Sequence, residues 1–160
     1  MDMNSATENE GTVVGENPAA PSWTREGPVV IVDDDPYDAI LAEGVISELR
    51  PRYPVQILTS GEDFVAYLQG EGLYQDRSHY PMPGLVLLDL KMPKMDGFEV
   101  LEWLKNHPEH GEIPIVVLSG FVDMVEQVTK AYGQGAHAFL TKPVQLRDIQ
   151  SILSLLKISI

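Results

Sequence analysis

Val29-Val30-Ile31-Val32-Asp33-Asp34-Asp35-Pro36 decides the fold: four apolar residues run unbroken into three carboxylates and a proline. The run is short, β-branched and without alternation, as a strand covered on both faces requires. Asp35-Pro36 then reads as a helix cap with proline in the first turn. The same unit of buried strand and polar end recurs downstream. Leu85-Val86-Leu87-Leu88 ends at Asp89, and Ile115-Val116-Val117-Leu118 ends at Ser119. Ala138-Phe139-Leu140 is followed by Thr141, Lys142 and Pro143.

Helical spacing fills the gaps between these strands. Ala42, Val45, Ile46 and Leu49 recur on one face, with Pro51 just beyond. Residues 55–58 read as a second strand, and Ser60 as the cap of a helix carrying Phe64, Val65 and Leu68 that stops near Gly70. Residues 72–83 form an aromatic and polar loop, whose simplest role is a lid over that helix. A third helix is expected over residues 97–106, with Phe98, Leu101 and Leu104 inward, and a fourth strand over 113–118. Asp123 is positioned to cap a fourth helix ending at Tyr132, residues 137–140 form a fifth strand, and Leu146, Ile149, Ile152, Leu153 and Leu156 line a fifth helix. Five strands alternating with five helices predict a doubly wound α/β domain with helices on both faces. Right-handed crossovers and five parallel strands favour the flavodoxin-like order 2-1-3-4-5. Its switch point falls between the first and third strands, where Asp33, Asp34 and Asp89 end.

Composition narrows the function. The 160 residues carry a formal charge of −13, which argues against nucleic acid and anionic membrane surfaces as partners. Cysteine is absent, excluding disulfides and thiolate metal sites. Residues 1–27 are polar and acidic and read as a disordered segment, with Trp23 at its boundary, ahead of a domain spanning 28–160. No signal peptide and no stretch approaching ~18 apolar residues is present, so a cytoplasmic location is expected.

The strand ends gather three carboxylates, a hydroxyl and an ammonium. Crowded acids repel one another, and a divalent cation relieves that repulsion. Magnesium suits such hard oxygen ligands. Asp34 and Asp89 are candidate ligands, with Asp33 direct or through water and the Lys91 backbone carbonyl as a further ligand. An aspartate can also attack phosphorus to give an acyl phosphate. Asp89 is the candidate nucleophile because it ends the middle strand. Lys142 would pair with phosphoryl oxygens as a point charge, and Ser119 would donate a hydrogen bond to another.

These motifs resemble the receiver domain of two-component response regulators. The resemblance rests on Val29 through Asp35, on Leu87-Leu88-Asp89-Leu90-Lys91-Met92-Pro93-Lys94-Met95-Asp96-Gly97, on Val117-Leu118-Ser119-Gly120, and on Phe139-Leu140-Thr141-Lys142-Pro143. It implies that Asp89 accepts a phosphoryl group from a histidine kinase, that Asp33 and Asp34 hold magnesium, and that Ser119 and Lys142 bind the phosphoryl group. It further implies that Phe139 is a switch aromatic and that the Lys142-Pro143 bond is cis. The expanded loop over residues 70–83, together with the segment after Asp89, is similar to single-domain regulators paired with phytochrome-type kinases. With no effector domain expected, output would pass through protein contact, on the face of the fourth helix, fifth strand and fifth helix. Homodimerisation there would be favoured by exposed apolar residues near Ile158 and Ile160. Lys91 and Phe121 flank the acceptor and would shield a comparatively long-lived acyl phosphate from water.

Each residue also has an ordinary reading. Asp33 and Asp34 alone fit a solvated turn, Ser119 a turn cap, Lys142 a surface lysine, and Phe139 a static core aromatic. Asp35 is the helix cap and not a metal ligand. His79, His107, His110 and His137 lack ligand spacing and read as surface or loop residues. Met92 and Met95 read as loop packing. Two other functions use part of the same set. A haloacid-dehalogenase-like phosphatase would take Asp33 as nucleophile with Ser119 and Lys142, but leaves Asp89 unused and lacks a second acidic pair. A phosphate-independent interaction module would use none of them. The signalling reading makes the protein a phosphoacceptor rather than an enzyme.

Overall fold

Along β1 (Val29–Val32), Val30 and Val32 face one core while Val29 and Ile31 face another. The same alternation continues through β3 (Leu85–Asp89) and β4 (Ile115–Ser119), whose residues are buried throughout. Period-two side-chain direction divides an unbroken apolar run between two cores, which only a sheet covered on both faces can satisfy. A computed structural model describes residues 26–120 and 124–160. It adds β2 (Gln56–Leu58) and β5 (Ala138–Thr141) to give one all-parallel sheet in the order β2-β1-β3-β4-β5.

Helices α1 (Pro36–Ser47) and α5 (Leu146–Leu156) cover one face, burying Ala39, Ala42, Ile46 and Ile149 against Ile31, Leu87 and Leu118. Helices α2 (Gly61–Gln69), α3 (Gly97–Lys105) and α4 (Met124–Gly133) cover the other, around Phe64, Tyr67, Val100 and Leu101. Local chemistry sets the helix starts. Asp35 accepts the Tyr37 and Asp38 amides, Ser60 accepts the Asp63 amide, and Asp96 with Glu99 forms a reciprocal capping box. Asp123 lies outside the described residues.

The segment between α2 and β3 is a packed lid, as expected. Arg77 donates to the carbonyls of Tyr67 (2.8 Å), Leu68 (2.8 Å) and Tyr80 (3.1 Å), so one guanidinium satisfies the last turn of α2. Tyr67, Tyr74 and Tyr80 meet edge to face or tilted, and the Tyr67 hydroxyl donates to the Pro81 carbonyl at 2.7 Å. Met92 is buried in the same core and Met95 packs against it.

Several expectations are corrected. β2 and β4 begin later than their apolar runs, at Gln56 and Ile115; Pro114 supplies a carbonyl to Val86 but has no amide to donate. β5 likewise begins at Ala138, one residue later than expected, which leaves His137 at a loop position. It is half-buried there, its Nδ1 accepting the Ile115 amide at 3.0 Å, and burial pushes its imidazole below the ordinary value. Ile158 and Ile160 are not free apolar residues, because both pack against the α1–α5 core.

Gly97 fixes how closely α3 approaches the end of β3. A Cβ there would sit 2.5 Å from the Asp89 carbonyl oxygen and 2.7 Å from the Leu90 Cα, both rigid backbone. Gly97→Ala is therefore expected to destabilise the protein by about 1–3 kcal/mol, as overpacking does, and chemical denaturation measures it. An unchanged midpoint would show that the α3 start can shift freely.

Candidate functional site

All the strand C-termini open on one edge, and the backbone ladder there brings distant residues together. Asp89 lies opposite Leu118 in register, Ser119 opposite Thr141, and the Lys142 amide donates to the Ser119 carbonyl at 2.8 Å. β1 supplies Asp33 and Asp34 beside β3, since Val32 pairs with Leu88. Asp33, Asp34 and Asp89 each offer a carboxylate oxygen, and these lie within 4.8 Å of one another. Asp33, Asp89 and Ser119 are buried, whereas Asp34 faces solvent.

Lys142 is the centre of this arrangement. Its Nζ lies 2.9 Å from Asp33 Oδ2, 3.0 Å from Asp38 Oδ2 and 3.2 Å from Asp89 Oδ1. Burial opposes the lysine charge, but Asp33, Asp89 and Asp38 outweigh it and hold the pKa above the ordinary lysine range. Each Asp33 oxygen has a partner: Oδ1 accepts the Asp35 amide at 3.0 Å while Oδ2 meets Lys142. Among the described residues, Asp89 has a long bond, 3.3 Å, from the Lys91 amide besides Lys142. Its carboxyl is pushed up to about 6, first by burial and then by the Asp33 charge, which together exceed the pull of Lys142.

Three carboxylates thus share one ammonium, and a fourth, Asp34, lies beside them. A partly desolvated, under-neutralised oxygen cluster has the donor chemistry of a hard divalent cation. A carboxylate raised by its surroundings, with few bonds to its oxygens, also has the chemistry of a nucleophile.

Two contacts were not foreseen from sequence. Asp38, in the first turn of α1, takes the second close bond of Lys142. An acid three residues past a helix cap is usual for dipole reasons alone, so nothing marks it out. Ser119 Oγ donates to Gln127 Oε1 on α4 at 2.6 Å, and an isolated glutamine on a helix carries no signal. Phe139 is half-buried, paired in register with Val117 and packed against the α2–α3–α4 core. The Lys142-Pro143 bond is cis, as the resemblance implied. Lys91 itself is exposed, and Phe121 lies outside the described residues. Asp35 caps α1, as expected.

Comparison with known proteins gives one result throughout. Residues 29–154 match the family model described as response regulator receiver domain. Response regulator Rcp1 of Synechocystis sp. is 34% identical over 121 residues, covering 76% of this chain and 80% of Rcp1. Its solved Mn(2+)-bound form superposes with a TM-score of 0.66 at 33% identity, covering 80% of this chain and 93% of that one. The bacteriophytochrome response regulator RtBRR gives a TM-score of 0.73 at 29% identity over 84% of this chain and 80% of its own. The phosphorylated cyanobacterial phytochrome response regulator RcpA gives 0.67 at 29% identity, over 81% and 89%. Among the described residues no helix is long and apolar enough to cross a membrane.

The Asp89 environment makes a pH prediction for the metal-free protein. Its folded pKa of about 6 exceeds the ~3.9 of an unfolded aspartate, so the wild type is unpenalised below the unfolded value and loses stability as pH rises through 6. With chelator present, Asp89→Asn should be more stable than wild type near about pH 7.5, by about 1–3 kcal/mol, and equal to it below about pH 4. Urea midpoints across that range decide it. A variant less stable at the higher pH would show that the Lys142 pair outweighs desolvation.

Proposed function

The chain belongs to the response regulator receiver family, and from that premise we propose that it is a phosphoacceptor with Asp89 as the acceptor. The observation that carries this reading is the placement of Asp89, a buried carboxylate between a cluster of oxygen donors and the Lys142 ammonium. Asp33 is poorly suited to the nucleophile's role that a phosphatase would give it, because both its oxygens are engaged.

In this reading an Asp89 oxygen attacks the phosphorus of a phosphohistidine. The new P–O bond forms as the P–N bond breaks, and the imidazole leaves with the electron pair. Asp33, Asp34 and Asp89, with the Lys91 backbone carbonyl, would hold magnesium, which supplies positive charge against the incoming phosphoryl oxygens. Lys142 exchanges one of its carboxylate contacts for a phosphoryl oxygen, and Ser119 donates to another. Both groups come from strand ends whose backbone is already fixed by the sheet, so only their side-chain partners need to change.

The donor is a sensor histidine kinase, and the RtBRR and RcpA likenesses support a phytochrome-type one. Tyr37, Ile40 and Leu41 are exposed on α1 beside Asp38, giving an apolar surface next to the acceptor for that partner. Output passes through protein contact on the face of α4, β5 and α5, to which Phe139 belongs as a switch aromatic. A homodimer on that face would have to use other residues than Ile158 and Ile160, such as the exposed Val125 on α4.

Incubation with magnesium and a small acyl phosphodonor, read by intact mass, tests the assignment. The wild type is expected to gain one phosphoryl group and Asp89→Asn none. A gain in both proteins would transfer the role to another aspartate, and no gain in either would leave a phosphate-independent interaction module.

A further inference from the structure

We infer that Gln127 is a positioning residue that latches the Ser119 hydroxyl away from the acceptor, so that phosphorylation must break the Ser119–Gln127 bond and release α4. The inference rests on the reading of Asp89 as phosphoacceptor and adds a residue that reading does not contain.

Ser119 Oγ donates to Gln127 Oε1 at 2.6 Å, at the short end for an O–H···O bond. A serine hydroxyl has a single proton to donate. While that proton is on Gln127 it is unavailable to a phosphoryl oxygen on Asp89, so the two bonds exclude each other. Ser119 is only 2% exposed, which keeps water from standing in for either partner. The proton donor is therefore a two-position device. In one position it ties the end of β4 to α4, and in the other it points toward the transferred group.

Gln127 lies one turn into α4, on the element that also carries the exposed Val125. α4 thus feels the state of Asp89 through one hydrogen bond. Linkage makes the effect reciprocal: a partner that pulls Gln127 away from Ser119 raises the affinity of Asp89 for a phosphoryl group by the same factor. Among the described residues the Lys142 side of the site has no comparable device, because its alternative partners, Asp33 and Asp38, lie just after β1 and in α1, away from the output face.

The test uses beryllium fluoride with magnesium, a non-covalent mimic of an aspartyl phosphate, titrated calorimetrically into the full chain. Gln127→Met keeps the length of the side chain and removes the acceptor oxygen. It is expected to bind the mimic about 3–10-fold more tightly than wild type, the range that follows from one neutral hydrogen bond. In a Ser119→Ala background the same substitution is expected to change nothing. Magnesium affinity without fluoride should be equal in wild type and Gln127→Met, and Gln127→Ala repeats the measurement should the methionine variant misfold. Unchanged or weaker binding in Gln127→Met overturns the latch, as does a gain that persists without the Ser119 hydroxyl. If neither wild type nor variant binds the mimic while both bind magnesium, the phosphoacceptor reading itself fails, and the latch with it.

Discussion

The Lys142 ammonium lies within 3.2 Å of carboxylates from three different elements: Asp33 after β1, Asp38 in α1 and Asp89 at the end of β3. A lysine this enclosed is tolerable only because it is paired, and the buried carboxylates are tolerable only because of the lysine. Yet one positive charge does not neutralise three acids, and Asp89, buried beside Asp33, has its carboxyl raised to about 6. Asp33 has the Asp35 amide as well as Lys142 as partners. The site is therefore held together and left electrostatically incomplete by the same residue. A divalent cation is the addition whose charge would complete it.

That balance requires the strand ends to be fixed to within fractions of an ångström, and the two cores fix them. Every central strand is clamped between α1–α5 on one side and α2–α3–α4 on the other. Gly97 brings α3 against the Asp89 backbone where no Cβ fits. The lid around Arg77 completes the second helix by satisfying carbonyls at its C-terminus. None of these residues has chemistry of its own to offer the site; they remove the backbone freedom that would otherwise blur its distances.

How much of this was legible in the sequence depends on how local each signal is. Val29–Val32 and Leu85–Leu88 announce themselves, because a doubly covered strand needs an unbroken apolar run, and a polar residue at its end can be placed without knowing its neighbours. Asp33, Asp34, Asp89, Ser119 and Lys142 were found that way, and the structure brings all five to one edge. Asp38 and Gln127 were not, because their roles arise from which helix face meets the strand ends, a tertiary property with no trace in spacing. His137 holds a loop position, as expected, but its bond to the Ile115 amide follows from the register of β5 on β4, which no isolated histidine reveals. Ile158 and Ile160 were misjudged because chain-end residues look unpartnered until the core beneath them is known.

The two unforeseen contacts divide the site into a fixed half and a movable half. Lys142, Asp33 and Asp38 are joined by charge-assisted bonds, which are roughly twice as strong as neutral ones. With Asp89 as a third partner, Lys142 keeps two carboxylates if one is drawn away. Ser119 and Gln127 are joined by a single neutral bond on a helix whose apolar contacts to the sheet are few, Ala131 being its one fully buried side chain among those described. A perturbation at Asp89 will therefore be absorbed on the lysine side and transmitted on the serine side. The weaker bond carries the signal because it is the one whose loss the rest of the structure does not resist.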